Sequence, residues 1–283
     1  MSTRCGKPAP PLTDPSPNFE NGPDFVQSLS RGLAVMRAFD ADHAELSQSE
    51  IAERTGLARA VVRRSLLTLQ HLSYIGARGR RFFLTPRVLE LGFGYLSSLR
   101  LPELARPAME QLAHSVQESC SMSVLDGSEI VYVARVPVKR VITIALGVGA
   151  RLPAYAASMG RVLLAGLPDP ELDAALEASP LAPLTPHTIC KAKPLRAEIL
   201  KVRQQGYSLV MQELELGLCS VAVPVRDRRG SVIAALNVGM QYHKDSRSRA
   251  LQVVLPALQQ TAGEIERAIA HQWAPQPAEG SQA

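Results

Sequence analysis

Residues 47–84 read SQSEIAERTGLARAVVRRSLLTLQHLSYIGARGRRFFL, and the punctuation of this stretch decides the fold of the N-terminal part. Ser47 and Glu50 have the spacing of a capping box: the serine hydroxyl takes the amide three residues on, and the glutamate reaches back to the serine's own amide. That pair opens a short helix running through Arg54. Gly56 then allows a sharp turn, because glycine enters the left-handed region without steric cost. A further helix is expected from about Ala58 to Leu72. Val62, Leu66, Leu69 and Leu72 or Ser73 follow its three-four step and should pack inward, while Arg59, Ala60, Arg63 and Arg64 stand near its start. Helix, tight turn and helix with exposed arginines at its head is the helix-turn-helix, whose second helix enters the major groove and reads bases with its first residues. Directly afterwards, Tyr74–Leu84 gives two short β runs around Gly79, a hairpin with Arg78, Arg80 and Arg81 at its turn. A hairpin in this position is a wing, suited to phosphate or the minor groove.

Charge supports the same reading. Between Arg54 and Leu89 there are eight arginines, no lysine and no acid. The whole chain carries +5 and this window +8, so the remainder sums to −3 and the basicity is local. Such a field recruits phosphate, and guanidinium clamps a phosphate or a guanine edge with two parallel hydrogen bonds. Arg54 and Arg87 are expected at phosphates or helix termini.

Working outward, Val26, Leu29, Leu33, Met36 and Phe39 recur at helical spacing and predict one buried stripe. Residues 1–23, rich in proline and polar side chains, are expected to be a disordered arm, with folding starting near Asp24; residues 274–283 form a similar tail. Pro86 can start a linker and dimerisation helix over 86–101, apolar on more than one side and suited to burial against a second chain. The winged helix-turn-helix thus occupies 24–85. The 283 residues, 46% hydrophobic and 20% charged, suffice for two domains. No apolar run reaches membrane-spanning length and no signal-peptide pattern opens the chain, which predicts a cytoplasmic protein.

From 102 to 273 the pattern is mixed. A helix at 103–118 leads to strands at Ser119–Leu125, Glu129–Val136 and Val141–Val148. Helices follow at Ser158–Ala165, Pro170–Ala178 and Leu195–Gln205, then strands at Ser208–Glu213, Leu218–Val225 and Val232–Met240, and a last helix at Asp245–Gln272. Asp227–Gly230 has the composition of a hairpin turn. Strands joined by short turns imply an antiparallel sheet with helices packed on it, an α+β domain. A helix starting at Ser158, Met159 and Gly160 offers amides and a positive dipole end that suit a carboxylate. Arg135, Arg151 and Arg161 are candidates to pair with an anionic ligand. Glu213 and Glu215 share a strand face by period two, as a solvated or dimer-facing pair. Cys219 is favoured as a core cysteine, with no partner histidine for nucleophilic work. The four cysteines and six histidines have no metal spacing, and no nucleotide loop or nucleophile elbow is present. No catalytic residue, metal or cofactor is expected.

Several phrases agree in order and spacing with a known family. The start Val26–Leu33, Ile51-Ala52 with Gly56-Leu57, the hairpin Tyr74–Leu84, Leu152–Arg161, Gln212–Gly217 and Ser220–Val225 resemble the IclR family of bacterial transcription regulators. Leu89–Gly92, Ser123–Gly127 and Val131–Pro137 are similar to its branch controlling aromatic-acid catabolism through the β-ketoadipate pathway, the PcaR, PcaU and PobR type. The resemblance implies a GAF-like effector domain for a small carboxylate such as protocatechuate, 4-hydroxybenzoate or β-ketoadipate. It also implies dimers or tetramers on a palindromic double-stranded DNA operator. Carried over by position, it would line the effector pocket with Ser158, Met159, Gly160, Glu213, Cys219, Ser220, Asn237 and Gly239; Asn237 and Gly239 stand where many relatives carry serines. Two other readings compete: an enzyme for a small acid tethered to DNA, and an architectural DNA binder without ligand.

Overall fold

The computed structural model describes residues 19–40, 42–92, 101–138 and 147–272. The chain divides into two compact units, Met1–Tyr95 and Leu96–Ala283. In the first, α1 (Gln27–Arg37), β1 (Leu46–Ser47), α2 (Gln48–Thr55), α3 (Arg59–His71), β2 (Ile75–Arg78) and β3 (Arg81–Leu84) enclose a core that includes Val35, Ile51, Val62, Leu66 and Ile75. The capping box is formed: the Glu50 amide donates to Ser47 Oγ at 3.3 Å, and the Ser47 amide donates to Glu50 Oε2 at 2.6 Å. Gly56 turns the chain at φ +66°. The hairpin is tied into a three-stranded sheet in the order β1-β3-β2, with Leu46 opposite Phe82. Gly76 leaves room for the Phe83 ring, which lies over it where a Cβ would otherwise stand.

Several expectations are corrected. Only the end of the α1 stripe is covered: Met36 and Phe39 pack on the core, whereas Val26, Leu29 and Leu33 are 60%, 62% and 47% exposed. Helical spacing shows that an apolar face exists, not what covers it. Leu72 is likewise 47% exposed, because it caps α3 where the chain turns away through Ser73 at φ +66°. Part of the expected arm is structured, as Phe19–Asn21 form a 3-10 turn with Phe19 packed edge-on against Phe25 at 5.9 Å. Residues 1–18 and 273–283 lie outside the described residues. The expected linker helix begins as a 3-10 turn, Pro86–Val88, capped by Thr85; its residues 93–100 lie outside the described ones.

The second unit is α+β. Strands β4 (Ser119–Asp126), β5 (Glu129–Val136), β6 (Arg151–Pro153), β7 (Ser208–Met211), β8 (Leu218–Arg226) and β9 (Val232–Gln241) form one sheet. Their order is β6-β5-β4-β9-β8-β7, and every pairing is antiparallel. One face carries α4 (Leu101–Val116) and α9 (Leu255–Gln272) over a core containing Met109, Met122, Val221 and Ile265. The other carries α5 (Ser158–Ala165), α6 (Asp169–Glu177) and α7 (Ala192–Gln205) over Ile130, Tyr155, Leu164 and Ile199. Asp227–Gly230 is a tight turn, its Asp227 carboxylate taking the amides of Arg229 and Ser231 at 2.9 Å. The last helix is not continuous: a short helix, α8 (Ser246–Arg249), and a π turn at Ala250–Val254 precede α9. Residues 139–146, most of an expected strand, lie outside the described residues; β6 was not expected.

Candidate nucleic-acid interface and ligand cavity

All seven residues expected at DNA, Arg59, Ala60, Arg63, Arg64, Arg78, Arg80 and Arg81, are exposed. Arg59 and Arg63 stand one turn apart on α3, so their guanidinium groups share one side of the helix. The acid-free window is less isolated in space than in sequence, because folding returns acids from its flanks. Arg78 bonds Glu45 at 2.8 Å and lies over the Phe83 ring, 4.8 Å from its centroid. Arg81 donates to the Glu45 carbonyl at 2.8 Å and approaches Glu50 at 3.6 Å. Glu50 is held below the ordinary carboxylate range, first by the Ser47 amide, with the Arg81 charge adding. Arg54 pairs with Asp40 at 2.6 Å, while Arg87 pairs with Glu90 at 3.3 Å and faces the Tyr74 ring. Exposed pairs of this kind contribute little stability but do orient a side chain. Among the described residues, Arg59, Arg63, Arg64 and Arg80 make no ion pair.

The second unit contains a cavity of about 60 Å³ between the sheet and the opening of α5. Ser158, Met159, Glu213, Ser220, Asn237 and Gly239 line it, as do Ser119, Ser121, Tyr132, Arg135, Leu214 and Leu218. Strand register explains the polar wall. Ser121 stands opposite both Arg135 and Asn237, while Gly239 stands opposite both Ser119 and Ser220. Tyr132 and Arg135 are three residues apart, a spacing that in a regular strand would put them on opposite faces. A bulge at Val133, between the Ser123–Tyr132 and Met122–Ala134 pairs, reverses the alternation and brings both to the cavity.

Two expected lining residues are not there. Cys219 belongs to the core on the opposite face, since it is adjacent to Ser220 and neighbours in a strand point opposite ways. Burial pushes its thiol up to about 11, so it is a small core residue and not a thiolate at neutral pH. Gly160 is a packing residue: a Cβ on it would lie 2.1 Å from the Ala154 carbonyl oxygen. This close approach fixes α5 against the preceding turn, Ala154–Ala156.

The charged groups are sorted by the fold. Glu213 is neither on a strand nor solvated, because Gln212 at φ +57° ends β7 and folds the chain over the sheet. Its carboxylate receives both Arg161 guanidinium nitrogens, Nη1 at 2.9 Å and Nη2 at 2.5 Å, and the Ile189 amide at 3.1 Å. Arg161 is only 1% exposed and also donates to the Tyr155 carbonyl at 2.8 Å. Arg151 is occupied by Glu129 and Asp126 at the surface. That leaves Arg135, half-buried, donating to Ser121 Oγ at 3.1 Å and without an ion pair among the described residues. Tyr132 beside it stays a neutral donor: burial pushes its phenol up to about 12, against the opposing pull of the Arg135 charge. A wall with one unneutralised cation and several hydroxyls suits a small anion.

Sequence reasoning missed Ser119, Ser121 and Tyr132. The signal for the serines was present: Ser119, Ser121 and Ser123 alternate with Cys120, Met122 and Val124, which is a polar row along one strand face. Among the described residues no His, Cys, Asp or Glu cluster could hold a metal ion, and no helix is long and apolar enough to cross a membrane.

Comparison with known proteins agrees with this division. Residues 28–78 match the IclR helix-turn-helix domain, and residues 93–267 match the bacterial transcriptional regulator IclR C-terminal domain. The chain is 44% identical over 241 residues to the Pca regulon regulatory protein of Pseudomonas putida, covering 85% of this chain and 83% of that protein. It is 38% identical over 252 residues to the p-hydroxybenzoate hydroxylase transcriptional activator of Acinetobacter baylyi, covering 87% and 93%. A crystal structure of an IclR homolog complexed with 4-hydroxybenzoate, from Microbacterium hydrocarbonoxydans, superposes with a TM-score of 0.76 at 25% identity, covering 86% of this chain and 99% of that one. The chain belongs to the IclR family of bacterial transcriptional regulators, in the branch of the Pca and p-hydroxybenzoate regulators.

Proposed function

We propose that this regulator binds a palindromic duplex operator as a dimer or tetramer in the cytoplasm and controls aromatic-acid catabolic genes in response to a small aromatic carboxylate. Arg59, Ala60, Arg63 and Arg64 read or approach bases, and Arg80 at the wing tip holds the backbone. Arg78 and Arg81 act mainly by fixing the wing, since Glu45 and Glu50 already engage them. Pairing of two chains is supported by the uncovered face of α1. Leu29, Leu33 and Met36 line an apolar groove of about 680 Å³ with Leu69, Leu72 and Leu91, and a second copy of the same face would cover it.

The observation that carries the ligand reading is Arg135, a cation with no carboxylate partner among the described residues, on the wall of a serine-lined cavity. Neighbouring relatives support the chemical class, because one is named for p-hydroxybenzoate hydroxylase activation and another was crystallised with 4-hydroxybenzoate. The cavity of about 60 Å³ is smaller than the ~150 Å³ void that accepts benzene, so an aromatic acid enters only as the walls move. That movement is the means by which ligand favours one dimer geometry over another and alters the separation of the recognition helices. Catalysis has no support from Cys219, which lies across the sheet from the cavity. The test is a thermal-shift titration with protocatechuate, 4-hydroxybenzoate and β-ketoadipate. A ligand at one hundred times its Kd stabilises the folded state by about 2.7 kcal/mol; a shift with β-ketoadipate alone, or with none of the three, would overturn the aromatic-ligand reading.

A further inference from the structure

Asn237 is 8% exposed, and its amide is only half satisfied. Nδ2 donates to Ser220 Oγ at 2.9 Å, and Ser220 Oγ in turn lies 2.6 Å from Ser158 Oγ at the start of α5. The carbonyl oxygen Oδ1 is buried on the cavity wall with no hydrogen-bond partner. Buried amide oxygens are nearly always paired, and leaving one unpaired costs the desolvation that water no longer repays. None of the neighbouring hydroxyls donates to it: Ser220 and Ser158 bond each other, while Ser121 Oγ accepts from Arg135 and Ser119 Oγ accepts from the Val138 amide at 3.0 Å, and neither forms a hydrogen bond to Oδ1. The oxygen is thus an acceptor on the cavity wall that no wall donor meets, open to a hydrogen-bond donor brought into the cavity.

We infer that Asn237 is a specificity residue, which selects aromatic carboxylates bearing a ring hydroxyl by accepting that hydroxyl's hydrogen bond at Oδ1. This rests on the ligand reading above and adds an orientation to it. Arg135 and Asn237 flank Ser121 in register on the same sheet face, two strand spacings or about 10 Å apart at the backbone. The carboxylate goes to Arg135, and the ring projects its hydroxyl toward Asn237. The reverse orientation would set a carboxylate against an acceptor oxygen. A ring without a donor leaves Oδ1 unpaired and also displaces any water from it, so benzoate is penalised without a clash.

The experiment measures Kd by isothermal titration for benzoate, 3-hydroxybenzoate, 4-hydroxybenzoate and 4-formylbenzoate against the full chain and its Asn237→Leu and Asn237→Ser variants. The unmodified chain is expected to prefer a hydroxybenzoate over benzoate by at least about tenfold. Asn237→Leu should bring that ratio close to one while benzoate still binds, and Asn237→Ser, which restores a hydroxyl, should recover part of it. Binding of both acids with a ratio that Asn237→Leu leaves unchanged overturns this inference but not the ligand reading, and points to water as the partner of Oδ1. Preference for 4-formylbenzoate, which only accepts, also overturns it. Failure of every aromatic acid to bind the unmodified chain overturns both.

Discussion

Replacing Glu213 by alanine removes the only carboxylate against the Arg161 guanidinium among the described residues, and the cost follows from burial. Arg161 is 1% exposed and the Glu213 side chain 12% exposed, so water cannot take over the lost bonds. Breaking a buried pair by deleting one partner costs about 3–5 kcal/mol, mostly the price of stranding the other charge. The Ile189 amide loses its acceptor in the same step. With a urea slope of roughly 2 kcal/mol per molar, the midpoint of unfolding should fall by roughly 2 M, a large part of the stability of a domain of this size. Glu213→Gln keeps hydrogen-bonding capacity without charge and should lose less. Arg161→Met combined with Glu213→Leu should recover most of the loss, since an apolar pair of similar volume strands no charge. Urea denaturation followed by circular dichroism measures all three variants. If Glu213→Ala shifts the midpoint by less than about 0.5 M yet weakens an aromatic acid tenfold, Glu213 is a ligand group and the buried-pair reasoning is wrong.

Arg63→Ala should cost about 1–3 kcal/mol on a preferred duplex and blur base preference, whereas Arg80→Ala should weaken all duplexes alike and lower the salt slope by about one; anisotropy titrations at several salt concentrations separate the two. Gly160→Ala forces a Cβ against the Ala154 backbone and should destabilise the second unit by about 3 kcal/mol, read as a lowered midpoint in thermal denaturation. Tyr132 titrates at about 12 when folded and 10 when free, so its contribution is complete below pH 10 and lost as pH rises toward 12. That loss is on the order of 2–3 kcal/mol, and Tyr132→Phe should abolish this part of the alkaline destabilisation in urea midpoints taken across that range.

Legibility from sequence followed the range of the interactions. The capping box and Gly56 are decided within a few residues, and so were readable, as was the wing with its glycine tip. What a helix face meets is not local, and the first half of the α1 stripe, Val26, Leu29 and Leu33, left exposed, shows the difference. Within the cavity, alternation alone excludes Cys219 once Ser220 is assigned to the ligand face, because adjacent strand residues diverge. It fails at Arg135, where a single bulge residue, Val133, reverses the alternation. It fails also at Glu213, where Gln212 leaves the strand through a left-handed conformation that no residue type at that position announces. The ion pairs of Arg78 and Arg81 depend on Glu45 and Glu50, which are distant in sequence and adjacent only after the wing docks on β1.

The claim that joins the two units is that ligand occupancy of the cavity changes DNA binding. The direct measurement is the Kd of the full chain for a palindromic duplex, selected by the protein itself from a random library, with and without saturating 4-hydroxybenzoate or protocatechuate. At least one acid should shift that Kd about fivefold or more, while affinity for random duplex stays much weaker. An acid that binds the chain and leaves the operator Kd unchanged, or equal affinity for selected and random duplex, would contradict it.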